Sequence, residues 1–354
     1  MNNNDYHQQQ NIKNSLILRD IMYSLPSFSY EFFRGIENTT SPKTRIAYAY
    51  DLRLFFEFIL DYHKNFKEKS IEDIILSDLS YIIPDDLEMY MEYLSYYKKV
   101  DNNGQVVEHK NSERGKCRKL ATLRSFFTYF YKKQKINNNP ALLVNLPKIH
   151  QKNITRLEID EVAKLLDEVE SGDNLTSSQK KYHKQTKERD LALMTLLLGT
   201  GIRVSECVGL NISDIDFNVN GIRIVRKGGN EVIIYFGEEV EQSLLHYLEK
   251  RNKIIPKEGH EDALFLSLQN KRLSVRSVQN LVKKYSKLVT QLKTISPHKL
   301  RSTYGTNLYR ETGDIYLVAD VLGHKDVNTT KKHYAQIDDE RRRKAARIIR
   351  LRED

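Results

Sequence analysis

The chain has 354 residues, 40% of them hydrophobic and 29% charged, and 57 Lys and Arg against 47 Asp and Glu give a net charge of +10. That length exceeds one compact core and predicts two domains, while the lack of any run near the roughly 18 apolar residues of a membrane span, or of an export signal, predicts a cytoplasmic protein off the membrane. Only Cys117 and Cys207 are present, neither in a CxxC pair, which argues against a zinc site or disulfide framework; the basic excess suits a polyanion but suits a plain soluble surface as well.

The first dozen residues, MNNNDYHQQQNI, are polar and rich in Asn and Gln, so residues 1–19 are expected to be a disordered tail. After Pro26, SYEFFRGIE reads as a short helix. Ser41-Pro42 reads as an N-cap with proline at the first helical position, and the stretch after it spaces Ile46, Tyr50, Leu54, Phe55 and Ile59 as a helix does. A third helix is predicted from Asp85 through LEMYMEYLSYYKK, then KVDNNGQVVEHKNS as a loop or small hairpin. The fourth, ERGKCRKLATLRSFFTYFYKKQ, aligns Leu120, Leu123, Phe126, Phe127 and Phe130 on one side. Together they predict a small helical domain over residues 20–135, its aromatic stripes forming the core. Lys43, Arg45, Arg114, Lys116, Arg118, Lys119 and Arg124 are expected on its surface, as phosphate contacts or as a solvated charged face.

KINNNPALLVNLPKIHQKN, with two prolines and no long period, reads as a linker over residues 136–153. A second domain over 154–354 opens on LEIDEVAKLLDEV, with Thr155 and Glu158 at capping-box spacing. SGDNLTSSQKKYHKQTK reads as a polar surface loop, and the apolar helix LALMTLLLG ends at Gly199-Thr200-Gly201. GIRIVRKGGNEVIIYF gives two alternating strands around a glycine-rich turn. Helices follow in EEVEQSLLHYLEKR, VRSVQNLVKKYSKLV, HKLRSTYGTNLYRE, DIYLVADVLG, TTKKHYAQ and the basic amphipathic DERRRKAARIIRL. The second domain is therefore mainly α with one embedded hairpin.

Four short segments of this domain gain meaning in order: GTGIRVSE, VRKGG, PHKLRSTYGT and LGHKDVNTTKKHY. Arg, hairpin Lys, HxxR, LGH and then Tyr resembles the active-site pattern of the tyrosine site-specific recombinase/integrase family. The pattern spans the second domain, and the helical first domain fits that family's core-binding domain more loosely. The resemblance implies a mainly α fold, a helical core-binding domain followed by an α-rich catalytic domain with a small β-hairpin. It implies DNA cleavage and rejoining through a 3′-phosphotyrosyl intermediate, without metal or nucleotide cofactor, by a homotetramer on paired sites in double-stranded DNA. The layout is closest to the Xer type, in chromosome-dimer resolution or element integration and excision. A type IB topoisomerase-like enzyme and an inactive DNA-binding regulator are the alternatives.

The chemistry explains the residue types. Attack of a phenol on a phosphodiester builds charge on non-bridging oxygens, and an enzyme without metal must meet it with fixed donors. Arginine stays charged and presents a planar fork that matches phosphate. The resemblance assigns Arg203 and Arg301 to that clamp and Tyr334 to nucleophilic attack, with His298 as the candidate base or hydrogen-bond partner. Lys227 is the general acid for the departing 5′-oxygen, and His324 hydrogen-bonds the phosphate. His298 and Arg301, three apart on a predicted helix, share a face. Glu206 either orients Arg203 or forms a plain surface pair with it. Ser302 stands where many family members carry a second His, and Tyr304 falls on the expected core face. The C-terminal helix packs either into a neighbouring subunit or onto its own domain.

Overall fold

The computed structural model describes residues 6–101, 103–149, 155–226, 229–290, 292–323 and 327. Residues 1–152 and 153–354 form two compact units. The first contains α1 (Tyr6–Met22), α2 (Ser29–Gly35), α3 (Pro42–Tyr62), α4 (Pro84–Tyr93), β1 (Tyr97–Val100), β2 (Val106–His109) and α5 (Glu113–Lys132). The two strands pair as an antiparallel hairpin with Val100 opposite Val106. Ser41 caps α3, its Oγ accepting the Thr44 N–H at 3.2 Å, and Pro42 sits in the first turn, where no N–H is missed. Phe32, Phe55, Phe56, Phe126, Phe127 and Phe130 are fully buried. Their rings meet largely edge-on, as Phe32 and Phe126 do at 5.2 Å and 78°, the arrangement that aromatic quadrupoles favour.

Two expectations for this unit fail. The segment from Tyr6 belongs to α1, which buries Leu18 and Ile21 and packs on α3. Its Asn- and Gln-rich composition concealed an apolar edge of only a few residues. Nor is the whole of residues 136–153 linker. Ile136, Ala141 and Val144 join the core, and Arg124 holds the segment by donating from Nε to the Ala141 carbonyl (2.9 Å) and from Nη2 to that of Val144 (2.6 Å).

The main polar tie inside the unit is Asp51. It is 3% exposed and accepts from Arg118, from Thr122 Oγ1 at 2.9 Å, and lies 3.8 Å from Lys119 Nζ. Asp51→Ala is expected to destabilise this unit by about 1–3 kcal/mol, because the buried Lys119 and the Arg118 guanidinium lose their carboxylate, leaving the ammonium only Asn111 Oδ1 and the Thr122 hydroxyl only the Arg118 carbonyl. Urea unfolding measures it, and a loss below about 0.5 kcal/mol, the range of an ordinary surface change, would show the tie to be dispensable.

The second unit contains α6 (Ile159–Ser171), α7 (Ser177–Thr200), α8 (Val204–Gly209), β3 (Ile215–Asp216), β4 (Gly221–Val225), β5 (Glu231–Tyr235), α9 (Glu238–Arg251), α10 (Val275–Val289), α11 (Pro297–Thr312) and α12 (Ile315–Leu322). Glu158, not Thr155, caps α6: its N–H donates to the Glu161 carboxylate at 2.8 Å. The segment expected as a polar loop is mostly the first half of α7. Thr176 and Gln179 form the capping box that starts it, at 3.1 and 3.3 Å. That half is polar nearly all round and buries only His183 and Thr186, so it carries no apolar stripe to read. The second half buries Leu193, Met194, Leu196 and Leu197 and packs on α6, α9 and α11.

The hairpin of β4 and β5 pairs Ile222 with Ile234 and Ile224 with Val232, and β3 adds a third antiparallel strand beside β4. The chain is thus mainly α-helical, with two small antiparallel sheets among the described residues. Among the described residues no helix is long and apolar enough to cross a membrane. The predicted helices in TTKKHYAQ and DERRRKAARIIRL lie outside the described residues.

Candidate active site

The site of the second unit is organised around the C-terminal end of α12. A helix leaves its last carbonyls without the N–H that a further turn would supply, and that end carries partial negative charge. Here three arginines from three elements fill the gap. Arg226, at the end of β4, donates from Nη1 to the Asp320 carbonyl (3.1 Å) and from Nη2 to that of Val321 (2.7 Å). Arg301 of α11 donates from Nη2 to the Leu322 carbonyl, and Arg203, just before α8, from Nη2 to that of Gly323 (3.1 Å). Sequence separations of 94 to 120 residues are closed in two of these contacts, so fold and site form together.

Each clamp arginine has a second anchor. The Arg203 backbone N–H donates to Glu206 Oε2 at 2.7 Å and its Nη1 to Oε1 at 2.8 Å. Arg203 is the N-cap of α8, so the buried Glu206 orients it from the first turn, without a helix running through both. Arg203 remains 35% exposed, able to meet a ligand. Arg301 is 5% exposed and donates from Nη1 to the Gly201 carbonyl at 2.6 Å. Gly201 has φ +62°, and a Cβ there would lie 2.4 Å from the Tyr304 ring, so glycine lets α7 end against α11. Three guanidiniums this close repel. Burial pulls the Arg226 pKa below its usual value, with Arg203 adding to the effect and Glu206 and Asp320 opposing it.

His298 stands exposed in the first turn of α11, one turn before Arg301. Tyr304 is half-buried, packed with Tyr309, Val318 and Leu322, and burial raises its phenol pKa. Lys227, His324 and Tyr334 lie outside the described residues. The arginine that sequence reasoning missed is Arg226. Its only signal was its place directly before Lys227, which also fits an ordinary solvated strand end.

Residues 155–341 match the phage integrase family. The chain is 37% identical over 316 residues to the tyrosine recombinase XerC of Caldanaerobacter subterraneus subsp. tengcongensis, covering 86% of this chain and 81% of that protein. The chain belongs to the phage integrase family, the tyrosine recombinases. The XerH site-specific recombinase bound to difH substrate shares the fold of this recombinase with a TM-score of 0.61 at 22% identity, over 89% of this chain and 81% of that one. A lambda integrase tetramer bound to a Holliday junction does so with a TM-score of 0.58 at 17% identity, over 87% and 76%.

In the first unit of the recombinase, the seven basic residues expected at the surface divide. Lys43 and Arg114 are exposed and form no ion pair with a described residue. Arg118 is exposed but committed to Asp51, and the half-buried Lys116 donates to Ser95 Oγ at 2.5 Å. Arg45, Lys119 and Arg124 are not surface groups. Arg45 is buried against Glu37 at 2.8 Å, and Arg124 is half-buried on the two carbonyls named above. Lys119 is buried, and its pKa lies below the usual value because of that burial. Amphipathic spacing told the faces of α5 apart, but long basic side chains reached inward to polar partners.

Proposed function

We propose that this recombinase exchanges DNA strands at paired sites through Tyr334, with Arg203 and Arg301 holding the scissile phosphate. The observation that carries the reading is the convergence of those two guanidiniums at the carbonyl end of α12, one residue before His324. Two planar cations fixed in advance suit charge that develops on non-bridging oxygens, and their anchors reduce the reorganisation left for the reaction. Tyr334 Oη attacks phosphorus, its proton passing to His298. The bond from phosphorus to the 5′-oxygen breaks, and that oxygen takes a proton from Lys227. His324 donates to the phosphate. The 3′-phosphotyrosyl bond retains the energy of the one broken, so attack by a 5′-hydroxyl reverses the step without a nucleotide.

Exchange between two duplexes needs four cleavages, hence four subunits on two sites. The tetrameric lambda integrase of similar fold supports that assembly. Lys43 and Arg114, exposed and outside any ion pair with a described residue, are the two of the seven expected basic residues left as candidate contacts to DNA phosphates. The likeness to XerC agrees with the Xer-type layout, and chromosome-dimer resolution and excision or integration of an element would use the same chemistry.

The test uses a supercoiled plasmid carrying two copies of the DNA segment that flanks the gene. Deletion or inversion products that need both copies are expected. Relaxation of a plasmid without the segment would favour a topoisomerase activity, and binding without any product would favour a regulator.

A further inference from the structure

The arginine ahead of the hairpin turn does more than fill a helix end. Arg226 N–H donates to the Asn230 carbonyl at 2.8 Å, and the Arg226 carbonyl accepts the Gly229 N–H at 3.0 Å. The backbone of Arg226 is therefore paired with Gly229 and Asn230, the residues that follow Lys227 and Gly228, which themselves lie outside the described residues. The side chain of the same residue is tied to the Asp320 and Val321 carbonyls, 94 and 95 residues away. It lies so close over Gly323 that a Cβ there would fall 2.2 Å from Nη1. Gly323 has φ +61° as well, a backbone that favours glycine, and a side chain there would also have to displace the guanidinium. The hairpin thus docks on the same helix end that receives Arg203 and Arg301.

We propose that Arg226 is a positioning residue, which fixes the base of the Lys227 turn relative to the arginine clamp and so sets where the general acid can act. A helix cap alone would not require the capping residue to be the one paired with Gly229 and Asn230. A lysine there keeps charge and stem but lacks the fork that meets two carbonyls at once. This inference rests on the general-acid reading of Lys227.

The experiment is single-turnover cleavage of a duplex carrying the site found in the plasmid assay, with either an ordinary scissile phosphodiester or a 5′-bridging phosphorothiolate. A thiolate leaves without protonation, so loss of the general acid should slow only the ordinary bond. Lys227→Ala is expected to slow the ordinary bond by about 10²–10⁴-fold, the usual worth of general acid catalysis, with little effect on the phosphorothiolate. Arg226→Ala should reproduce that selectivity, losing at least about tenfold on the ordinary bond, part of the general-acid contribution, and far less on the sulfur substrate. Arg226→Lys should show the same selectivity to a smaller degree, and carries the comparison if the alanine variant melts early. Equal losses on both bonds in the arginine variants, or none on either, overturn the proposal while the lysine result leaves the general acid in place. Equal losses in Lys227→Ala would remove the general-acid reading itself, and the proposal with it.

Discussion

Arg301→Ala is expected to reduce strand cleavage by at least about 10²–10³-fold, the usual loss when one preorganised donor to a developing oxyanion is removed. The same change should lower stability. Arg301 is 5% exposed and serves the Gly201 and Leu322 carbonyls, which close α7 and α12. Stranding two buried acceptors costs about 1–3 kcal/mol each, enough to lower the melting temperature measurably. Arg301→Lys separates the two roles. An ammonium can satisfy one carbonyl and keep the charge, but it cannot bridge both and still present a fork to phosphate. Thermal melting should therefore recover in part, while single-turnover cleavage stays within about tenfold of the alanine variant, since a point charge replaces little of the directed donation. Cleavage near the unaltered rate in Arg301→Ala would exclude this residue from the clamp.

How far the sequence could be read depended on whether the signal was local. Arg203, His298 and Arg301 were legible as candidates from residue type, order and spacing, since they stand in two short motifs, GTGIRVSE and PHKLRSTYGT. The hairpin was plain because β4 and β5 alternate around a glycine-rich turn. The polar half of α7 was hidden because a helix with almost no buried stripe resembles a loop in composition. α1 was hidden because its first half is rich in Gln and Asn, while its buried Leu18 and Ile21 stand only near its C-terminal end. Arg226 was invisible because its partners are helix-end carbonyls about 95 positions later, a relation that no local pattern encodes. The bond between Arg118 and Asp51, 67 residues apart, is the same case, and it turned an expected phosphate contact into a structural one. Long-range polar anchoring, and helices that carry almost no apolar stripe, were not encoded in any local pattern.

The central claim is that Tyr334 forms the covalent bond to DNA. A free phenol titrates near 10, so Tyr334 must be activated at the site. The clamp supplies part of that help, because positive charge around the phosphate stabilises the anionic transition state. Tyr334→Phe removes one oxygen and keeps the phenyl ring. The variant should bind the site with unaltered affinity. Arg301→Ala lowers the rate but leaves the nucleophile, so its adduct should still accumulate slowly; Tyr334→Phe should form none at any time. Tyr304 offers no substitute, since it is half-buried against Gly201 and its phenol pKa is raised by that burial. The deciding measurement is denaturing electrophoresis of end-labelled duplex after incubation with each protein, followed by peptide mapping of any adduct. The account predicts a shifted band with the unaltered chain, mapped to Tyr334, and no shifted band with Tyr334→Phe. A shifted band that persists in Tyr334→Phe, or an adduct mapped to Tyr304 in the unaltered chain, would contradict it.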